Sequence, residues 1–377
     1  MGKRLALVGG GHAHMTVMLR LAEYVERGHQ VTLVSPSPYH YYSGMGPGML
    51  GGFYRPQQVR FHIRKLVEKR GGVFVEDRVT RVLAPEHRLE LASGRHLEYD
   101  VASFNTGSGV PMERVGALGD DAVPVKPIHN LSRIRRWILD QMRIRSLDLL
   151  VVGGGPAGVE LAGNLWRLVR QAGGEARITL VAGRHLLNGF PEKARRMAMM
   201  SLSRREIRVI EGARAVEVSR GLAHLDDGSE IPYDRALVAV GVEPGSLFRE
   251  SGLPVGEDGG LLVNDRLQSV SWPELFGGGD CISFQDRSLQ KVGVYAVRQN
   301  PILFHNLLAA LEGRNLTTFE PQKHFMLIFN LGDGKGLFIK NRWVWQGRLA
   351  FTLKDWIDRR FMGRFQRVGE LTEADRN

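Results

Sequence analysis

A single cysteine, Cys281, stands in 377 residues. No disulfide, structural or redox-active, can form within the chain, and a reducing compartment is expected. No apolar run approaches the length that crosses a bilayer. The first such run, Leu5 to Val8, is too short for a secretory signal and breaks at glycine. The expectation is a cytoplasmic protein, free or peripheral on the cytoplasmic membrane face. Short-period repeats and low-complexity tracts are also missing. Acidic residues are outnumbered, 40 against 51 basic, for a formal charge of +11. That excess calls for an anionic partner: nucleic acid, anionic lipid or a polyanionic cofactor. The basic residues form no recognisable nucleic-acid module, so no nucleic acid is expected.

What the chain does have is glycine, placed where it can hold phosphate. Leu5-Ala6-Leu7-Val8-Gly9-Gly10-Gly11 returns as Leu149-Leu150-Val151-Val152-Gly153-Gly154-Gly155. Each copy is an apolar strand entering a glycine turn ahead of a helix-compatible stretch. A second strand follows each, Gln30 to Val34 and Arg177 to Val181. Each copy closes on a strand and turn, through Thr106-Gly107 in the first and Val240-Gly241 in the second. Two matched βαβ units in one chain predict two dinucleotide sites.

The second fingerprint is complete. Gly153 permits the tight turn, Gly155 lets pyrophosphate approach the backbone, and Gly158 lets helix and strand pack closely. The helix N-terminus then offers free N–H donors and partial positive charge. In the first copy Gly9 and Gly11 keep their places, but His14 stands where the third small residue belongs. His14 is read as packing or hydrogen-bonding where helix meets sheet. His12, beside the expected pyrophosphate, is either a phosphate ligand or a structural histidine. No cysteine or carboxylate accompanies them at ligand spacing, so no metal site is expected. The acidic residue that normally holds ribose hydroxyls is Ser35 in the first copy and Ala182 in the second. Serine still serves a ribose. Arg184, with no carboxylate beside it, inclines the second site towards NADPH.

With Tyr42-Ser43-Gly44-Met45, Val125-Lys126-Pro127, Gly279-Asp280-Cys281, Gly293 to Gln299 and Leu353 to Met362, these motifs resemble the pyridine nucleotide-disulfide oxidoreductase superfamily of two-dinucleotide flavoproteins. The likeness is above all to the branch found fused ahead of selenide, water dikinase, and more distantly to type II NADH dehydrogenases and sulfide:quinone oxidoreductases. It implies an α/β fold with two Rossmann-like FAD/NAD(P)-binding domains, the second inserted in the first. Residues 1–125 and 246–313 would form the FAD domain, 126–245 the NAD(P) domain, and 314–377 a C-terminal α+β cap. It implies FAD in the first site, with Asp280 on the ribityl chain and Tyr42 and Ser43 in a turn beside the isoalloxazine. Glu160 would order the nicotinamide side. Lys126 is a basic candidate near the flavin or at the domain crossover. Lys291 would add charge at the N-terminus of a helix over Val292 to Glu312, where reduced flavin gains negative charge.

The implied activity carries hydride from NAD(P)H to flavin, then electrons to a quinone or other acceptor without a redox disulfide. Two alternatives stay open: oxidation of a sulfur or selenium species, and a low-turnover flavin-bearing protein that binds a membrane or partner. Strands over Lys323 to Phe329 and Lys335 to Lys340 and a helix over Phe351 to Phe365 are expected in the cap. Leu353, Trp356, Ile357, Phe361 and Phe365 fall on one helical face, with Lys354 and several arginines around it. Residues 351–367 are expected either to touch a membrane surface or to cover the flavin domain or a second copy in a homodimer.

Overall fold

The strand Arg4–Val8 lies at the centre of a parallel sheet because its side chains are apolar on both faces. Its order is Val73–Glu76, Gln30–Ser35, Arg4–Val8, Val101–Phe104, Leu275–Gly277. A second parallel sheet repeats the arrangement: Arg208–Ile210, Ala176–Val181, Leu147–Val152, Arg235–Val238, Ala122–Pro124. The computed structural model describes residues 2–116, 119–322 and 324–373. Each parallel sheet carries an antiparallel meander inserted just before one of its strands: Val79–Leu83 to His96–Glu98 before Val101–Phe104, and Ala215–Ser219 to Glu230–Pro232 before Arg235–Val238.

Chain order shows the insertion. Four strands of the first sheet precede the whole of the second, and Leu275–Gly277 returns to complete the first. Helix Gly293–Glu312 then packs over the first glycine turn, with Asn300 Oδ1 accepting the Thr16 N–H at 2.6 Å. Helix Pro156–Ala172 runs directly out of the second turn, Pro156 sitting at the N-terminus where its missing N–H costs nothing.

The cap is a three-stranded antiparallel sheet, Leu327–Asn330, Gly336–Lys340 and Trp343–Gly347, carrying helix Arg348–Phe365. Lys323, the first residue of the expected strand, lies outside the described residues. The expected single apolar face of the helix is corrected. Asp358, Met362 and Phe365 are buried, with the Lys354 ammonium turned inward onto Asp358 at 2.6 Å, while Trp356 is 57% exposed. Phe361 and Phe365 meet Phe61 with ring centroids 6.1 and 6.3 Å apart. A charge can lie inward because an i,i+4 partner sits on the same face and neutralises it.

Candidate functional site: two glycine cradles joined by a buried network

The first turn is fastened by Asn105, a residue the motifs did not single out. Its Oδ1 accepts the Ala13 N–H at 2.9 Å and its Nδ2 donates to Gly278 O at 2.5 Å. A β-carbon on Gly11 would lie 2.2 Å from that Oδ1, and one on Gly279 2.5 Å from that Nδ2. Gly9, at φ +84°, would meet Asn105 O at 2.5 Å. Gly9, Gly11 and Gly279 are therefore glycines because two turns close on the one residue Asn105.

His14 is fully buried, with Nδ1 on Gly9 O at 2.7 Å and Nε2 on Ser103 Oγ at 2.8 Å. Gly9 O only accepts, so Nδ1 carries the proton and Nε2 accepts from the serine. Burial drives its pKa down to about 4, the bond to Gly9 opposing. The packing role is what the geometry supports. A β-carbon fits here because the helix opens with the 3-10 turn His12–His14. In the second copy, by contrast, a β-carbon on Gly158 would sit 1.8 Å from Gly153 O.

His12 is buried, its ring stacked 5.7 Å from Phe361 and its Nδ1 3.1 Å from His40 Nε2. Burial, then the nearby Lys126 charge, lowers its pKa to about 4, so it is neutral. Its Nε2 is buried without a protein partner, an orphaned polar atom in the cradle that calls for a ligand. Lys126 Nζ donates to Ser108 Oγ at 2.8 Å and pairs with Asp280 Oδ2 at 3.0 Å. It thus stands both at the crossover and in the first cradle. Thr106 is exposed, Gly107 has open space at φ +75°, and Ser35 ends its strand buried. Cys281 is buried, held by Phe104 O at 3.4 Å. Lys291 is not a free charge: it pairs with Asp258 at 2.7 Å and donates to Ile282 O.

In the second cradle Gly153 takes φ +122°, and a β-carbon on Gly155 would meet nothing within 4 Å. That open face is the room a pyrophosphate needs. Gly241 turns the closing loop at φ +102°. Arg184 is exposed beside buried Ala182, and the Arg214 side chain packs 3.7 Å from where a Gly183 β-carbon would be. The nearest strand-end acid, Glu211, is engaged by the Leu186 N–H at 2.6 Å and by Arg195 at 2.8 Å.

Between the cradles lies a network with members from four parts of the chain. Tyr42 Oη donates to Asp358 Oδ1 at 3.0 Å, and Lys354 Nζ reaches Asp358 Oδ2 and Gly44 O, each at 2.6 Å. Tyr42 and His12 rings are 5.2 Å apart. Glu160 Oε1 accepts the Asn330 N–H at 2.6 Å. Burial raises the Glu160 pKa to about 7, partly opposed by the Lys354 charge. Burial also raises Asp358, with Lys354 opposing it. Burial pulls the Lys354 ammonium down, but Asp358 and Glu160 outweigh it and its net shift is upward. Glu160 thus faces the cap and its network, where a carboxyl near neutrality can both give and take a proton.

Two glycine turns, one in each of two repeated parallel sheets, give the plan of a two-dinucleotide fold. The model of the pyridine nucleotide-disulphide oxidoreductase family matches residues 3–300, and the chain belongs to that family. That membership implies use of a flavin and NAD(P)H. The chain is 24% identical over 331 residues to demethylphylloquinone reductase of Synechocystis, covering 83% of this chain and 81% of that one. It is 27% identical over 208 residues to the mitochondrial internal alternative NAD(P)H-ubiquinone oxidoreductase A1 of Arabidopsis thaliana, spanning 50% of this chain but 41% of that relative. Its fold is similar to that of NDH2 from Plasmodium falciparum in complex with NADH, with TM-score 0.82, 15% identity and 99% of both chains covered.

Proposed function

We propose that the protein is an FAD-dependent NAD(P)H oxidoreductase that passes electrons to a quinone. The observation that carries this reading is the chain of contacts from His12 in the first cradle through Tyr42 and Asp358 to Lys354, whose charge acts on Glu160 in the helix of the second. In this reading residues 1–125 and 246–313 hold FAD, 126–245 hold the nicotinamide nucleotide, and 314–377 cover the acceptor side. Flavin, when bound, supplies a hydride acceptor and releases electrons to the next partner. The chain's own residues do the rest. Gly9, Gly11 and the orphaned His12 Nε2 receive the diphosphate, and Asp280, held by Lys126 and Ser108, meets the sugar chain. The N-terminus of the helix beginning at Gly293 would lend its partial positive charge to the flavin ring. Lys291, paired with Asp258, steadies the loop before it.

Reducing a quinone with NAD(P)H consumes one proton from solution besides the hydride. Glu160, titrating near 7, supplies it, and Lys354 and Asp358 hold Tyr42 in place and relay charge. Of the quinone reading and its sulfur or selenium rival, the first is favoured because Cys281 is buried beneath Phe104 O and persulfide chemistry needs accessible thiols. The purified protein should show a flavin spectrum that NADPH bleaches anaerobically more readily than NADH. Arg184→Ala should raise the KM for NADPH about tenfold and leave that for NADH alone, as loss of one charge-assisted phosphate contact predicts. A protein without flavin, or one ignoring both nucleotides, would sink the proposal.

Among the described residues, no helix is long and apolar enough to cross a membrane. Trp343, Leu349 and Trp356 are nevertheless 74, 77 and 57% exposed on the cap. Leu349 and Trp356 are seven residues apart, on one helix face, and Arg342 and Trp343 share a surface recess with Leu349. Exposed tryptophans ringed by arginine suit a membrane interface. The triple serine variant at these positions should stay flavin-loaded yet no longer float with zwitterionic vesicles. Undiminished flotation would assign the face to a protein partner, with a second copy of the chain as the first to test.

A further inference from the structure

The cavity between helix Gly293–Glu312, the first helix Met15–Leu19 and the end of helix Arg348–Phe365 is used by neither cradle nor network. Its volume is about 380 Å³, inside the range of roughly 300–1,000 Å³ of small-molecule clefts. Arg298, Asn300, Thr16 and Arg364 line it, with Phe319 and Phe365 as apolar walls. Asn300 is 2% exposed and its Oδ1 is taken by the Thr16 N–H at 2.6 Å. Its Nδ2 has no protein acceptor among the described residues. Asn300 lines the cavity, so this amide is free to donate to a ligand held there.

The charges tell the same story. Arg298 and Arg364 come from different helices, so tertiary packing alone brings them to one cavity. Neither forms an ion pair among the described residues. Both side chains reach solvent at the cavity mouth, so they are free to turn onto a bound anion. The one acid lining the cavity, Glu320, is exposed, and the two guanidinium groups leave a net positive charge. Four donor groups from three elements suit an anion with oxygens pointing in several directions. Guanidinium groups bind such oxygens in pairs.

We propose that this cavity binds a phosphate ester whose apolar body lies against Phe319 and Phe365. The tetrahedral phosphate takes all four donors, which a planar carboxylate does not. The proposal is independent of the acceptor and of the membrane face, because it concerns a site that can be filled in solution.

The test is calorimetric titration of the flavin-loaded, full-length protein at constant ionic strength with two probes, inorganic phosphate and dihexanoyl phosphatidic acid. Arg298→Gln/Arg364→Gln should weaken saturable binding at least tenfold. Asn300→Asp keeps the acceptor for the Thr16 N–H but replaces the amide donor with a negative oxygen, and should abolish binding. An unchanged flavin spectrum and melting temperature would show that these variants are folded. Tighter binding of the lipid probe, lost in the variants, would support a lipid headgroup. Equal binding of inorganic phosphate with the same losses would overturn the apolar body and leave only a site for free phosphate. Absence of saturable binding by both probes, or binding indifferent to all three substitutions, would overturn the site.

Discussion

Glu160→Gln is expected to slow quinone reduction about 100-fold, the lower end of what one positioned acid or base contributes. Hydride transfer from NADPH to the flavin should change by less than about threefold, since no proton moves in that step. The amide keeps an oxygen for the Asn330 N–H and so preserves the local geometry. What disappears is a proton that can leave near neutrality. The limb of the pH–rate profile near 7 should vanish with it. Stopped-flow measurement of the two half-reactions across pH reads both effects, and equal slowing of the two would show that Glu160 only supports the fold.

The same substitution has a stability signature. Burial lifts the Glu160 pKa from an ordinary 4.5 to about 7, so the folded state prefers the neutral acid. Its stabilising contribution is fully present below about 4.5 and is lost as pH rises through 7. Glutamine cannot ionise and keeps that contribution at every pH. The variant should therefore gain on the native protein between these limits, by an amount on the order of 2–3 kcal/mol at the upper one. Denaturant melts at pH 4.5 and 8 measure the difference, and a variant that gains nothing would place Glu160 in water.

His14→Gly, which restores the consensus glycine of the fingerprint, is expected to harm the protein. It leaves Gly9 O and Ser103 Oγ without their buried partner and opens a hole where an imidazole was. The loss should be on the order of 3–4 kcal/mol, from two orphaned polar groups and a cavity. Flavin content after purification should fall as well, because Gly9 is the hinge of the phosphate turn. Thermal melts with and without added FAD separate the two losses. A stabilised variant would mean that the histidine is a tolerated substitution and not a brace.

The strand-turn-helix units were legible because their signals are local. An apolar run ending in glycines needs no distant partner to be recognised. The outer strands Val73–Glu76 and Arg208–Ile210 were not, since both are short and carry exposed polar residues. Asn105 hid in plain view: nothing in Phe104-Asn105-Thr106 says that two glycine turns close on it. Lys354 was misread as a solvated charge because the groups that make burial tolerable are far off in sequence. Gly44 O, which it bonds, is 310 positions away. Glu160 stood in the right motif, but the amide that fixes it, Asn330, belongs to the cap 170 positions later. Sequence periodicity sees which residues share a face, and not which faces carry compensating charge.

Chain order in the first sheet has a consequence for biosynthesis. Asn105 reaches Gly278 across 173 positions, and the strand Leu275–Gly277 arrives only after the second sheet has been translated. A nascent chain that has emerged as far as Phe104 holds four strands with an open edge and lacks Asp280. On the proposed reading, retention of flavin in the first cradle waits until the inserted unit has been translated. Truncated chains ending before Leu275 should therefore accumulate colourless, with an unpaired strand edge available for aggregation.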